Sequence, residues 1–539
     1  MPQTAADDGV ELLELRVLDG PNRFFNRPAV KLEFAGPEIG AAAAAAHEAG
    51  EMVRHFHAGL DLPRPRLKMR ESADRLRAAV AWPWHRRTIA QAVGTAAARV
   101  VLGGSSPRRE LRGLRAVALG PLPHLPVARV PIIAITGTNG KSTTTRLVAH
   151  IATQAGLRVG MTNSDGIYVR GELVEAGDWT GFGGASRVLA EPGLQLAVLE
   201  TARGGVLLRG IGYAANDIGV VTNVSADHLG LQGIDTLDEL AEVKGAIVRI
   251  TRRSGWAVLN ADDERVWAMR SSTRAGWYAF SLDPGSPAVA EALARGGRAA
   301  VVRDGAMVLL RANGPARRLA SVDEVPVTFG GVSDYNLANA LAAAAAADGV
   351  GIGSRRIAAG LRSFTLDAGT NPGRLNLYER GGVLVLIDFA HNEAGLRGLI
   401  VVARRLVDQG KLRIAIGTAG DRTDEILRNL GQLAGRGADD VVICEKRHYL
   451  RGRELAEMNA LLRAGVADGG YRGKVREYPT ELASLQALVK RSESGDVVAC
   501  MTHVERAEIG DWLRDAGFVP VTAELLRERL AAAAASASG

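Results

Sequence analysis

The chain has only two cysteines in 539 residues and only 5% aromatic residues, and it has no apolar run approaching the ~18 residues that a membrane-crossing helix needs. Its opening residues, MPQTAADDGVELLEL, contain no basic segment followed by an apolar one, so they do not read as an export signal. A water-soluble, cytoplasmic chain that does not enter a membrane is expected. Cys444 and Cys500 lie inside the apolar runs VVIC and DVVACM, which predicts buried thiols in a reducing compartment and excludes a disulfide scaffold. Neither has the basic neighbours that would lower a thiol pKa, so neither reads as a nucleophile. There is no long basic block with interleaved aromatics. The 66 Lys and Arg are interspersed with 59 Asp and Glu, for a net charge of +7. That pattern argues against a nucleic-acid partner and leaves a mild attraction for anions such as nucleotides or acidic peptides.

Core material is ample, at 47% hydrophobic residues. The length suits three or four domains of about 150 residues each. Residues 1–118 read as a small α+β unit: two strand-like runs between Leu13 and Phe34 around a Gly-Pro-Asn turn, helices over 40–60 and 87–102, and a strand at Ala79–Pro83. In that turn Asn22, Arg23, Asn26 and Arg27 either touch a ligand or only shape the turn. Residues 119–130 read as a proline-rich linker. From 131 onward, apolar runs alternate with helical stretches. The strands expected are Ile132–Thr136, Leu196–Glu200, Gly219–Asn223, Gly255–Asn260, Val383–Phe389, Leu412–Gly417, Asp440–Cys444 and Asp496–Met501. Such runs predict parallel sheets covered on both faces, one in a domain over 131–370 and another over 371–526. Val289–Thr328 reads as irregular β structure, and residues 527–539 read as a disordered, alanine-rich tail.

The chemistry centres on PIIAITGTNGKSTTTR, Pro131 to Arg146. An apolar strand runs into Gly137-Thr138-Asn139-Gly140-Lys141-Ser142-Thr143 and then into a helix. In such a loop backbone amides and the helix N-terminus face a phosphate, the lysine reaches the outer phosphates, and the serine hydroxyl can hold Mg²⁺. The usual P-loop has a glycine where this chain has Ile135. Taken alone, the loop is either a nucleotide site or an ordinary strand-to-helix turn. Glu200 ends the strand LAVLE, and in an open parallel sheet that edge is where ligands bind. A glutamate there can bind Mg²⁺ or cap a helix. The next strand leads to Asn223-Val224-Ser225-Ala226-Asp227-His228 and brings an imidazole to the same edge, as a metal ligand or a structural residue. Lys244, in ELAEVKGAI, reads by itself as a helical surface lysine.

Together these residues resemble the Mur ligase superfamily. The stretches SDGIYVRGELVEAGDWTG (164–181), ETARGGVLLRG (200–210) and SADHLGLQGIDTLDELAEVKG (225–245) are most similar to the Mur-like part of the cyanophycin synthetases, and the resemblance covers about 129–515. LDGPN and NRPAV in the first unit are more weakly similar to their N-terminal domain. The resemblance implies an α/β chain with a small N-terminal α+β domain, a central P-loop domain of the Mur ligase type and a C-terminal Rossmann-like domain. It implies that Lys141 and the loop amides hold the β- and γ-phosphates of ATP. Ser142 and Glu200 would hold one Mg²⁺; His228 would bind a second, with Lys244 if that lysine is carbamylated. It also assigns Asn336 and Asn339 to the adenine, Arg374 to the phosphates and Asp388 to the ribose. Arg203, His391, Asn392, Arg451 and Arg453 would face the substrates. Three positions depart from the family pattern: Tyr335 stands where a histidine is usual, Glu393 replaces a proline, and His448-Tyr449 replace acids. The last change puts arginine as a substrate in question.

The implied reaction is ATP-dependent amide-bond formation, joining an amino acid to an acidic peptide or small carboxylate acceptor through an acyl phosphate, of the cyanophycin-synthetase kind: arginine onto an aspartate side chain, or a related peptide. A folylpolyglutamate-synthetase-like ligase and a non-catalytic ATP-binding partner subunit remain as alternatives. No insert of several hundred residues separates the first unit from the Mur-like part, where cyanophycin synthetases carry a second, ATP-grasp activity. Only the side-chain-ligating half is therefore expected, as a homo-oligomer or with a partner enzyme that makes the acceptor.

Overall fold

Alternation of apolar and polar residues in the first segment builds a sheet with one covered face. A computed structural model describes residues 9–227, 229–365 and 367–538 of the chain. Strands β1 (Glu11–Leu18), β2 (Ala29–Ala35), β3 (Lys68–Glu71) and β4 (Arg77–Pro83) form an antiparallel sheet in the order β1-β2-β4-β3. Val30, Leu32 and Phe34 of β2 and Val80 and Trp82 of β4 share a core with Val53 and Phe56 of helix α1 (Ala41–Gly59) and Val93 of α2 (Arg87–Val101). A short helix, α3 (Pro107–Leu114), starts with proline and is capped by Ser106, which accepts from the Arg109 amide. The turn between β1 and β2 is organised by Asn22, which is 1% exposed. Its amide donates to the carbonyls of Gly20 (2.9 Å) and Arg27 (3.0 Å), and its oxygen accepts from the amides of Phe24 (2.9 Å) and Phe25 (3.0 Å). Asn22 is thus used up inside the turn.

By its contacts the chain divides into two units: residues 9–137, 156–224 and 229–278, and residues 138–155, 225–227 and 279 onward. The first segment lies within the first of these units. Backbone bonds such as Asp19 N to Arg209 O and Ile211 N to Pro21 O, both 2.7 Å, tie it to the connecting segment around residues 209–211. The first unit continues with β5 (Ile132–Thr136). The helix after it, α4 (Lys141–Gln154), belongs to the second unit. Next come β6 (Val159–Thr162), β7 (Gly166–Val169), β8 (Glu172–Ala176), α5 (Phe182–Ala190), β9 (Leu196–Glu200), α6 (Arg203–Leu208), β10 (Asn216–Val221), α7 (Leu237–Lys244), α8 (Ala246–Arg249) and β11 (Thr251–Asn260). Neighbours in this sheet run β11-β10-β5-β9-β6-β7-β8, parallel from β11 to β6. Ile132, Ile133, Ala134 and Ile135 have no exposed surface, as expected of a strand covered on both faces.

After α9 (Glu264–Ala268) and β12 (Gly276–Ser281), the stretch expected to be irregular is regular. It forms α10 (Pro287–Ala294) and an antiparallel set, β13 (Arg298–Arg303), β14 (Ala306–Arg311) and β15 (Arg317–Ser321). Helices α11 (Asp334–Gly349) and α12 (Ser354–Ser363) follow. The C-terminal sheet takes in β16 (Asn376–Arg380), β17 (Val383–Asp388), α13 (Glu393–Leu406), β18 (Leu412–Ile416), α14 (Asp424–Gly437), β19 (Asp440–Cys444), α15 (Leu455–Asp468), β20 (Arg476–Tyr478), α16 (Glu481–Val489), β21 (Val497–Met501), α17 (Arg506–Asp515) and β22 (Val519–Pro520). Its strand order is β20-β19-β18-β21-β17-β16-β22. Both cysteines are buried in it, and burial pushes the thiol of Cys444 up to about 11 and that of Cys500 up to about 12. The alanine-rich end forms helix α18 (Ala523–Ser538), where sequence composition suggested disorder. It is held because Leu526 and Leu530 pack on the C-terminal core and Arg529 Nε donates to the Leu406 carbonyl at 2.9 Å.

Removing the Asn22 side chain strands two buried backbone amides. Asn22→Ala is expected to lower stability by about 3 kcal/mol, read as a shift in the urea midpoint at unchanged slope.

Candidate active site

In the first unit, three neighbouring strands end together. β5 runs into Gly137, β9 ends in Glu200, paired in register with Ile135, and β10 leads to Thr222. Glu200 is 3% exposed. Its neighbour Thr201 donates from its amide to Ile135 O (2.8 Å), and Thr136 Oγ1 donates to Thr201 O (2.6 Å), so the two strand ends are locked. On the other side the Thr222 amide donates to Thr136 O at 3.0 Å. The Asn260-Ala261-Asp262-Asp263 turn supports this edge: Asn260 donates to Thr222 O (2.8 Å), and Asp263 accepts from the Val224 amide (2.7 Å). Gly137 has φ +154, and a Cβ there would lie 1.8 Å from Thr222 Oγ1, so only glycine fits. Lys244, the last residue of α7, is 5% exposed rather than a surface lysine. Its Nζ donates to Gly137 O at 2.7 Å. Arg203 opens α6 and donates to Gln232 Oε1 at 3.4 Å.

In the second unit the rest of the loop, Thr138 to Thr143, leads into α4. Gly140 is the N-cap of that helix, with φ +82, and contributes no capping oxygen, which leaves the first amides suited to an anion. Thr138 Oγ1 donates to Ser225 O (3.1 Å) and accepts from the Ser225 amide (3.0 Å); Asn139 donates to Ser225 Oγ (3.4 Å). Lys141 Nζ donates to Thr138 O at 2.9 Å. Asn336 and Asn339, both buried in α11, are bonded to each other at 3.1 Å, and Asn339 Oδ1 accepts from Thr144 Oγ1 at 3.3 Å. They therefore steady α4 behind the loop. A Cβ on Gly140 would lie 2.1 Å from Asn339 Oδ1.

Residues around 371–392 complete this cluster. Asn371 donates to Thr143 Oγ1, and Arg374 Nη2 to Ser142 Oγ, each at 3.5 Å, with the Arg374 guanidinium 4.2 Å over the Phe389 ring. Asp388 accepts from the amides of Leu375 (2.9 Å) and Ala390 (2.7 Å). Burial raises its carboxyl to about 6 against the pull of Arg374. Asn392 is the N-cap of α13, accepting from Gly395 N at 2.9 Å, and its amide donates to Asn139 Oδ1 at 3.0 Å. His391 Nε2 lies 3.6 Å from Asp227 Oδ2, and Asp227 also receives Arg422 at 3.0 Å. Sequence reasoning gave Arg422 no role; the acid just before His228 was the available signal. Arg451 and Arg453 pair with Asp421 and Asp424, and Arg453 also lies 3.4 Å from Glu457, so they form a separate charged patch. His228 lies outside the described residues.

Two outcomes follow from this geometry. Gly140→Ala is expected to destabilise the protein by about 2 kcal/mol, read from the urea midpoint, because a strained φ and a clash coincide. Asp388 bears on pH. The folded state takes up its proton near pH 6, whereas an unfolded aspartate does so near ~3.9. In that window the folded state binds more protons, so this group adds stability as pH falls from 6 toward 4. Asp388→Asn is expected to remove that gain, seen as a smaller rise in melting temperature between pH 6.5 and about 4.5 than in the parent chain.

Known proteins share long stretches of this sequence. The Mur ligase middle domain family matches residues 135–347, and the Mur ligase glutamate ligase domain family matches 373–503. Cyanophycin synthetase of Trichormus variabilis is 40% identical over 344 residues, 64% of this chain and 38% of that protein. The chain thus spans well under half the length of that relative. A UDP-N-acetylmuramoyl-L-alanyl-D-glutamate–2,6-diaminopimelate ligase of Corynebacterium efficiens is 27% identical over 424 residues, covering 74% of this chain and 75% of that one. Among solved structures, E. coli FolC in complex with DHPP and ADP superposes with a TM-score of 0.54 at 19% identity, over 72% of this chain and 89% of that one, a likeness of fold. With both of its characteristic domains present in order, the chain belongs to the Mur ligase superfamily.

Proposed function

We propose that this protein is an ATP-dependent amide ligase that activates an acceptor carboxylate as an acyl phosphate and joins it to an amino acid, as the cyanophycin-synthetase relatives suggest. The observation that carries the reading is the phosphate loop Gly137–Ser142, whose glycines are sterically required and whose lysine is present. E. coli FolC, which shares the fold, was solved with ADP.

A carboxylate is a poor acyl donor because it would have to expel oxide. In the first step a carboxylate oxygen bonds to the γ-phosphorus, the bond from that phosphorus to the β,γ-bridging oxygen breaks, and ADP leaves. In the second the amino nitrogen bonds to the acyl carbon, phosphate departs and the amine gives up a proton. Two anions meet in the first step, so Lys141 and the loop amides are assigned to spreading the charge of the transferring phosphoryl group. Asp388, fixed by two amides, is assigned to the ribose, and Arg374 to the phosphates. Ser142 and Glu200 offer the hard oxygens that suit Mg²⁺, which keeps waters and takes few protein ligands. Two such ions, with His228 and a carbamylated Lys244 holding the second, would supply charge neutralisation for the phosphoryl transfer. Lys244 as an ammonium repels a cation; carbamylation makes it a carboxylate-like ligand. The ion pairs of Arg451 and Arg453 with neighbouring acids leave them as candidate amino-acid contacts that would exchange partners on binding.

Lys141→Ala and His228→Ala are each expected to reduce amino-acid-dependent ADP release about 100-fold or more. A screen of amino acids against acidic acceptors identifies the substrates; normal turnover in either variant would overturn the assignment.

A further inference from the structure

The segment from Leu229 to Lys244 connects two residues assigned above to the metals, and in the first unit the N-terminal sheet domain grips it. Arg23, in the turn after β1, has a side chain 9% exposed. Its Nε donates to Glu242 Oε2 at 2.9 Å, its Nη2 to Glu239 Oε1 at 3.1 Å and its Nη1 to Gly233 O at 3.3 Å. Arg70, in β3, donates to Glu242 Oε1 through both Nε (3.2 Å) and Nη2 (2.5 Å). Arg77, in β4, pairs with Asp235. The grip is returned from α8, where Arg249 donates to the carbonyls of Asn22 (2.7 Å) and Arg23 (3.1 Å) and to Glu242 O (3.1 Å). Glu239, held by Arg23, also closes the capping box at the start of α7, accepting from the Asp235 and Thr236 amides at 2.8 and 3.1 Å. Both ends of an eight-residue helix are thereby fixed by another domain's arginines.

A short helix has little stability of its own, and its place is set by what it packs against. Here the position of α7 decides where Lys244 stands against Gly137, at the end of the strand that feeds the phosphate loop. We infer that Arg23 and Arg70 are positioning residues: through Glu242 they set α7 and so hold Lys244 at the phosphate-loop edge. The N-terminal domain is then part of the ligase site's framework. The role of Lys244 in turnover rests on the ligase reading; its placement does not.

The test uses the full-length protein with Arg70→Gln, Arg23→Gln and Glu242→Gln, and two readouts. The first, in carbon-dioxide-free buffer so that Lys244 carries no carbamate, is the rate at which an N-hydroxysuccinimide ester acetylates Lys244, followed by peptide mass spectrometry, with the buried Lys446 of the C-terminal part as an internal control for unfolding. Lys244 is expected to react about tenfold faster in the variants while Lys446 stays protected. The second readout is ADP release. Its kcat is expected to fall about tenfold and its half-maximal Mg²⁺ to rise, with KM for ATP unchanged. Unchanged Lys244 acetylation in the folded Arg70→Gln and Glu242→Gln proteins overturns the inference. Faster acetylation of Lys244 alone, in a protein whose parent shows no ADP release with any amino acid, supports the positioning role and sinks the ligase reading instead.

Discussion

A buried ammonium must be given oxygen to bond, and in this molecule the bond from Lys244 to the Gly137 carbonyl meets that need. It sits where the sheet hands over to the phosphate loop, so a helix end and a strand end are fixed by one contact. Gly137 can accept the arrangement because it has no Cβ to strike Thr222. The locked ends of β9 and β10 on either side leave Glu200 little freedom to shift along its strand. A site that must hold charge developing during reaction gains from donors and ligands that need not reorganise, and hydrogen-bonded strand ends provide that.

The second unit uses amides where the first uses a cation. Asn336, Asn339, Asn371 and Asn392 each bond to another side chain behind or beside the loop residues Asn139 to Thr144. An amide both donates and accepts, so such a chain can be satisfied without net charge next to the site proposed for a nucleotide phosphate. Arg374 and Arg422 bring the positive charge, one stacked on Phe389 and the other paired with Asp227.

Much of this was legible in the sequence. The parallel strands could be read because their apolar runs are unbroken, and the loop because its glycines, lysine and serine have fixed spacing. What could not be read depends on contacts distant in sequence. Lys244 looks like any helical lysine until α7 is packed down by Arg23 and Arg70, more than 170 positions earlier in the chain. Asn22 reads as a turn residue and is one, whereas Arg23 beside it reaches across to α7; the turn's composition does not separate the two. The alanine-rich end was misleading because alanine gives no periodicity, and the helix is set by Leu526, Arg529 and Leu530 packing on the C-terminal core. The β13–β15 hairpins were obscured by short strands and many arginines.

The two cysteines, described above only as buried thiols, have a practical consequence. Both side chains have essentially no exposed surface, their burial raises the thiols, and both lie in the same C-terminal sheet. The native protein is therefore nearly inert to alkylating reagents. Any thiol modification then reports opening of that sheet alone, giving the molecule an intrinsic clock for the unfolding of one part of its structure without an engineered label.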